Sequence, residues 1–216
     1  MPASADAQGP PAPFPSLRRV HVPAAGAGLA LIMQSGVELH CMTGIPFSVL
    51  LKDEIGIPPV ELAKIDVFLL DGKPVDEPDG TPVRAGSRIA LAAGLPGIAG
   101  LAMKSGSAVR ALRPGITHGA AGSGDTGDPR DASAMPGTPG PGIIEAALFR
   151  LALPLLAPRF LERGVVLAKE KLLAHARPAI AGLWLLDGRP LDCAGFAAEL
   201  AALPGATPLF LTARPA

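Results

Sequence analysis

Residues 66–75 read Asp66-Val67-Phe68-Leu69-Leu70-Asp71-Gly72-Lys73-Pro74-Val75. Asp66 to Leu70 has the β-branched, aromatic and aliphatic content of a short strand. Asp71-Gly72 is the dipeptide that a type I′ hairpin turn selects, because both central positions of that turn need φ > 0. Lys73 to Asp76 is then a brief return strand. Pro78-Asp79-Gly80 marks a second turn, and Ala85-Gly86-Ser87 leads into a last strand from Arg88 to Ala92.

Upstream of this hairpin, Leu29 to Gln34 is a short apolar run followed by Ser35-Gly36, a two-residue turn signal. Val37, Leu39 and Cys41 then alternate with Glu38 and His40, which is the period of a strand with one buried face. The pair reads as a β-hairpin. Thr43 is the expected N-cap of a following helix, with Pro46 in its first turn. Phe47, Leu50, Leu51 and Ile55 recur at helical spacing, Gly56 is the expected C′ residue, and Pro58-Pro59 stops continuation. A short turn over Val60 to Lys64 closes the segment. The predicted order is β-β-α-β-β.

Leu69-Leu70-Asp71-Gly72-Lys73-Pro74-Val75 and Ala85-Gly86-Ser87-Arg88-Ile89 make this order resemble the β-grasp, or ubiquitin-like, superfamily over roughly residues 28–95. Within that superfamily the pieces are similar to the sulfur-carrier branch that serves molybdopterin and thiazole synthesis. The resemblance implies a ββαββ fold. A sulfur carrier also ends in a free Gly-Gly, whose carboxylate is activated and thiolated. Here the last strand instead runs into Gly94-Leu95-Pro96-Gly97, and the sequence continues to Ala216. Carrier chemistry is therefore not transferred to this chain.

Residues 115–142 are dominated by Gly, Ser and Pro and hold few large apolar side chains, the composition of a flexible linker. The expected organisation is a disordered tail over 1–16, a β-grasp-like domain over 17–114, the linker over 115–142 and a small α/β domain over 143–216. The fold class is α+β. In the last region Ile143, Ile144, Ala147, Leu148, Leu151 and Leu155 suggest an apolar helix, broken near Pro154, with a turn over Leu156 to Leu161. A helix over 169–176, a strand over 183–186, a helix over 193–203 and a strand over 208–212 follow. Residues 185–192, LLDGRPLD, echo LLDGKPVD at 69–76, with Gly188 in the place of Gly72. Common Asp-Gly turn chemistry and duplication of a half-domain both account for the echo.

Lys+Arg and Asp+Glu are each 19, so the formal net charge is zero, which favours neither nucleic acid nor an anionic membrane surface. The hydrophobic fraction is 49%, high enough to exclude a wholly disordered chain. With no charge to keep copies apart, a protein partner or self-association is expected. The apolar stretches 89–103 and 143–157 fall short of the roughly 20 residues that a spanning helix needs. Cys41 and Cys193, the two cysteines, are too few for a disulfide framework; a single bridge between them is one reading, and two reduced cytoplasmic thiols are the expectation.

Candidate chemistry is sparse. Gly94, Gly97 and Gly100 have the wrong spacing for a dinucleotide fingerprint. His40 and Cys41 are adjacent strand residues and point to opposite faces, so they do not share a metal ion. His21, His118 and His175 have no nucleophile near them in sequence. Asp71, Asp76, Glu77 and Asp79 do not follow the register of a calcium loop. Trp184 is expected in the core. Lys104, Arg110, Arg113 and His118 form a loose basic string that could hold an anion or an acidic partner. No catalytic, cofactor or metal site is predicted. The expectation is a non-enzymatic cytoplasmic interaction module, an accessory subunit or factor of a larger enzyme. The alternatives are a sulfur-carrier-related protein of cofactor synthesis and a small hydrolase or transferase.

Overall fold

The computed structural model describes residues 17–22, 27–105, 107, 138–175 and 184–214. The fold is mixed α/β. In chain order the strands are β1 Arg18–Val22, β2 Val37–Thr43, β3 Ile45–Pro46, β4 Val67–Leu70, β5 Lys73–Pro74, β6 Pro82–Val83, β7 Arg88–Ala93, β8 Gly140–Arg150, β9 Val165–Ala168, β10 Trp184–Leu186, β11 Arg189–Leu191 and β12 Pro208–Ala213. The helices are α1 Ala27–Ala30, which runs on as a 3-10 segment Leu31–Ser35; α2 Phe47–Val49, which runs on as a π-helical segment Leu50–Glu54; α3 Pro59–Leu62; α4 Gly97–Met103; α5 Ala152–Arg163; α6 Lys169–His175; and α7 Cys193–Ala202. None of these helices is long and apolar enough to cross a membrane.

Ten of the strands form one mixed sheet in the order β11-β10-β1-β12-β9-β2-β8-β7-β4-β5. β3 and β6 form a small separate ladder. The large sheet reads the same from either end. From β2 outward, β8 is antiparallel, β7 parallel to β8, β4 antiparallel to β7, and β5 closes a hairpin. From β9 outward, β12, β1, β10 and β11 repeat those relations. The registers also agree. Glu38 faces Glu145, which faces Arg88, while Val166 faces Phe210, which faces Arg19. The two sets meet where Glu38 pairs with Val166 itself. A local twofold axis therefore runs between these two residues, normal to the sheet. The echoed hairpins β4-β5 and β10-β11 occupy equivalent places. The connectivity is not equivalent: β7 lies directly beside β4, whereas β12 is separated from β10 by β1.

Most buried apolar residues form a single cluster that draws on both sets of strands, including Val20, Leu39, Leu91, Ile144, Leu148, Leu209 and Leu211. The buried side chains of the helices, among them Leu156, Phe160, Leu172 and Phe196, join the same cluster. Val67, Ala92 and Val166 are buried but lie outside it. All three belong to the opposite side of the sheet by alternation. The sheet thus has an inner face carrying the helices and an outer face.

Several expectations are corrected. Residues 29–34 form a helix and a 3-10 turn rather than a strand, and Gly36, at φ 75°, ends that turn instead of closing a hairpin. Thr43 is the last residue of β2, and its hydroxyl donates to the Gly140 carbonyl at 3.1 Å; the helix starts at Phe47. Residues 143–150 are strand rather than helix, and 156–161 belong to α5. Pro154 does not break α5, because it sits in the first turn, where backbone N–H groups have no intrahelical acceptor. Gly140 to Gly142, assigned to the linker, are paired with β2.

Candidate functional site

The outer face is where side chains remain available. β2 turns Glu38, His40 and Met42 outward; β8 turns Pro141, Ile143, Glu145, Ala147 and Phe149 outward. Met42, Ile143 and Phe149 are 36%, 44% and 39% exposed, large values for apolar side chains in the middle strands of a sheet. Leu151, just past the end of β8, is 66% exposed and lies over Gly94. Among the described residues, the buried apolar side chains of α1, α2, α5, α6 and α7 belong to the inner-face cluster.

Beside the local twofold axis lies a cleft of about 270 Å3, lined among others by Gly36, Glu38, Glu145, Val166, Ala168 and Lys171. Glu38 and Glu145 face each other across β2 and β8, an arrangement that is unfavourable unless compensated. Arg88 supplies the compensation, with Nε 3.0 Å from Glu145 Oε2 and Nη2 3.1 Å from Oε1. The two contacts make a forked pair. Lys171 Nζ donates to the carbonyls of Ser35 at 2.9 Å and Gly36 at 2.6 Å. These carbonyls end a helical segment and attract a cation. The cleft lining carries two carboxylates, Glu38 and Glu145, and one ammonium, Lys171, with Arg88 holding Glu145 from β7; it has no serine, threonine, cysteine or histidine.

A second polar cluster lies further along β2, beside Met42. Arg163, at the end of α5, donates from Nε to the Glu54 carbonyl at 2.5 Å and from Nη2 to Glu54 Oε2 at 2.7 Å. The same carboxylate oxygen accepts the Met42 backbone N–H at 3.2 Å. A side chain thereby occupies the edge of β2 where pairing with β9 has ended. Arg159 makes a parallel link to Glu61 at 3.2 Å. Burial pushes the Cys41 thiol up to about 11, with Arg163 opposing the shift and Glu54 adding to it. Burial also lowers His40, against the pull of Glu38 and with the help of Arg163. At neutral pH the thiol is protonated and the imidazole neutral. As expected from strand alternation, Cys41 faces the core and His40 the outer face.

Of the basic string, Lys104 ends α4 with Nζ 3.0 Å from Asp66 Oδ1. Asp66 also accepts the Gly94 N–H at 2.9 Å, and these two partners hold its carboxyl below the ordinary value, the Gly94 N–H most of all. Lys104 thus ties α4 back to the start of β4. Arg110, Arg113 and His118 lie outside the described residues. Gly72 and Gly188 both have φ 80°, and the preceding Asp71 and Asp187 both have φ 51°. His21 Nδ1 lies 3.0 Å from Thr212 Oγ1, and His175 Nδ1 lies 2.8 Å from the Lys171 carbonyl. Trp184 is buried, with its ring 4.5 Å from that of Phe196. Sequence reading missed the Arg163–Glu54 and Arg159–Glu61 pairs. Their partners lie 109 and 98 residues apart, and no local spacing signals them. The chain matches no family model, no curated protein and no solved structure.

Proposed function

We propose that this chain is a non-enzymatic interaction module of β-grasp type that works as an accessory subunit or factor. The observation that carries the reading is the outward exposure of the apolar side chains of Met42, Ile143 and Phe149 on the central strands. Large apolar side chains left exposed on one sheet face are a signature of a protein-binding surface. The chemistry of the described residues points the same way. Cys41 is buried and protonated, and Glu145 and Glu54 are held by arginines.

The β-grasp assignment is supported by the order β2-β8-β7-β4-β5, with a parallel central pair, a terminal hairpin and a helix between β2 and β4. A β-grasp sheet has its first and last strands parallel at the centre. Here β8, which lies beyond β7 in the chain, takes the place of the first strand.

The test is affinity capture from native lysate with the intact chain and with an Ile143→Glu/Phe149→Glu variant of unchanged thermal unfolding. A protein recovered by the intact chain and lost with the variant supports the reading. Equal recovery by both chains, or recovery by neither, overturns it.

A further inference from the structure

The cleft beside the local twofold axis opens where three strands have their ends: β2 begins at Val37, β9 ends at Ala168 and β12 begins at Pro208. A row of outward residues crosses the sheet here. Arg88, Glu145, Glu38, Val166 and Phe210 pair in turn across β7, β8, β2, β9 and β12. Arg88 and Glu145 satisfy each other through their forked pair. Glu38 comes next and has the apolar Val166 on its other side. Its carboxylate forms no hydrogen bond or ion pair among the described residues and acts on His40 through its charge alone.

Lys171 enters the same cleft from α6. Its Nζ donates to the Ser35 carbonyl at 2.9 Å and the Gly36 carbonyl at 2.6 Å. An ammonium has three donors, so these bonds pin the nitrogen and leave one N–H over. Lys171 and Glu38 thus stand in one cleft without pairing, the ammonium tied to the backbone before β2 and the carboxylate rising from the face of β2. Ala168, Ala206 and Pro208 supply an apolar wall beside them. Opposite charges held apart in this way complement a ligand that carries the reverse pair. At about 270 Å3 the cleft is smaller than the roughly 300–1,000 Å3 of drug-sized pockets, which limits the ligand to a small one.

We propose that this cleft binds a small zwitterion of the α-amino-acid class, with its ammonium on Glu38 and its carboxylate on Lys171. An ammonium beside Glu38 also offsets the repulsion between Glu38 and Glu145 across the strand pair. The short wall of Ala168, Ala206 and Pro208 suits a ligand side chain of alanine size. The site goes beyond the interaction surface, since Met42, Ile143 and Phe149 do not line the cleft.

The experiment titrates the full-length, nitrogen-15-labelled chain with L-alanine and follows its backbone amide resonances. Saturable shifts at Gly36, Val166 and Ala168 are expected, with a weak dissociation constant, because the charges of the site are partly in water. Glu38→Gln leaves the fold intact, since the carboxylate has no partner within the described chain, and should weaken binding about tenfold. Alanine amide keeps the ammonium and loses the carboxylate charge, so it should also bind about tenfold more weakly. Shifts that do not saturate, or an unchanged affinity in Glu38→Gln, overturn the proposal. Equal binding of alanine amide overturns the zwitterion assignment, as it would for a site that takes the amino terminus of a peptide. Binding of L-alanine is expected to persist in Ile143→Glu/Phe149→Glu, so failure of the cleft and failure of the outer-face reading are told apart.

Discussion

Asp71 and Asp187 do the same work at equivalent points of one sheet. Asp71 donates its backbone N–H to the Arg88 carbonyl at 2.8 Å and accepts the Arg88 N–H on Oδ1 at 2.7 Å. Asp187 donates to the Arg19 carbonyl at 2.8 Å and accepts the Arg19 N–H on Oδ1 at 2.8 Å. Each closes a two-residue turn and clamps the next strand, so the repeated Asp-Gly serves strand placement as well as reversal.

Gly72 and Gly188 carry positive φ with open space around the missing Cβ, so substitution there meets backbone strain and no clash. Gly72→Val and Gly188→Val should each cost more than about 1 kcal/mol. For a chain of this length that lowers Tm by roughly 2–4 °C. Gly72→Asn should cost less, because Asn tolerates the left-handed region. Thermal unfolding by circular dichroism reads all three, and an unchanged Tm for the valine variants contradicts the strain argument.

Gly164 and Gly36 are also equivalent, but their surroundings are not. A Cβ on Gly164 would meet the Phe210 ring, and a Cβ on Gly36 the Glu145 carboxylate. The ring is held in the sheet, whereas the carboxylate ends a flexible side chain. Gly164→Ala should therefore destabilise by about 2–4 kcal/mol, more than Gly36→Ala. Adding Phe210→Ala to Gly164→Ala should recover part of the loss in urea unfolding. No recovery would remove the ring as the cause.

The Arg163–Glu54 pair is about three-quarters buried on each side and ties α5 to the π-helical segment and β2. Arg163→Ala should cost about 1–3 kcal/mol by leaving the Glu54 groups without their partner. A double-mutant cycle with Glu54→Ala should give a coupling energy of about 0.5–3 kcal/mol. Additive effects in chemical unfolding would show that the pair does not act as a unit.

Cys41 makes stability depend on alkaline pH. Its thiol ordinarily ionises at 9.0 and in the fold at about 11. Below pH 9 both states are protonated and no effect appears. Between pH 9 and 11 the unfolded chain loses the proton first, so stability falls as pH rises. The contribution is of the order of 2 kcal/mol once both states are ionised. Cys41→Ala should flatten that part of the profile, measured as unfolding free energy from pH 8 to 11. The chain contains no tyrosine to titrate in the same window. At pH 8, a thiol reagent should label Cys193, which is partly exposed, well before Cys41.

The Asp-Gly turns at 71–72 and 187–188 and the strands leading into them were legible in the sequence because their chemistry is local. Asp-Gly demands left-handed φ wherever it closes a hairpin, and Val37 to Cys41 alternates because one side of β2 meets the core. Two apolar runs were misread for a common reason. Leu29 to Gln34 has no polar partner at either period, so a buried helix and a strand look alike. Ile143 to Leu151 carries apolar residues on both faces, since β8 lies between β2 and β7 with its outward side chains still apolar. The cleft and the Arg163 cluster had no sequence signal, because their residues come from segments about a hundred positions apart.

By itself the sequence determined the Asp-Gly turns at 71–72 and 187–188 and the alternation of Val37 to Cys41, since these depend on φ preferences and on neighbours within a few positions. Which strands stand side by side was decided only in the tertiary structure. β8 entering beside β7, β1 entering beside β10, and Glu38 meeting Val166 on a local twofold axis all follow from matching long-range edges and a shared core. The closure of such distant contacts is a property of the whole packed chain, and no window of sequence contains it.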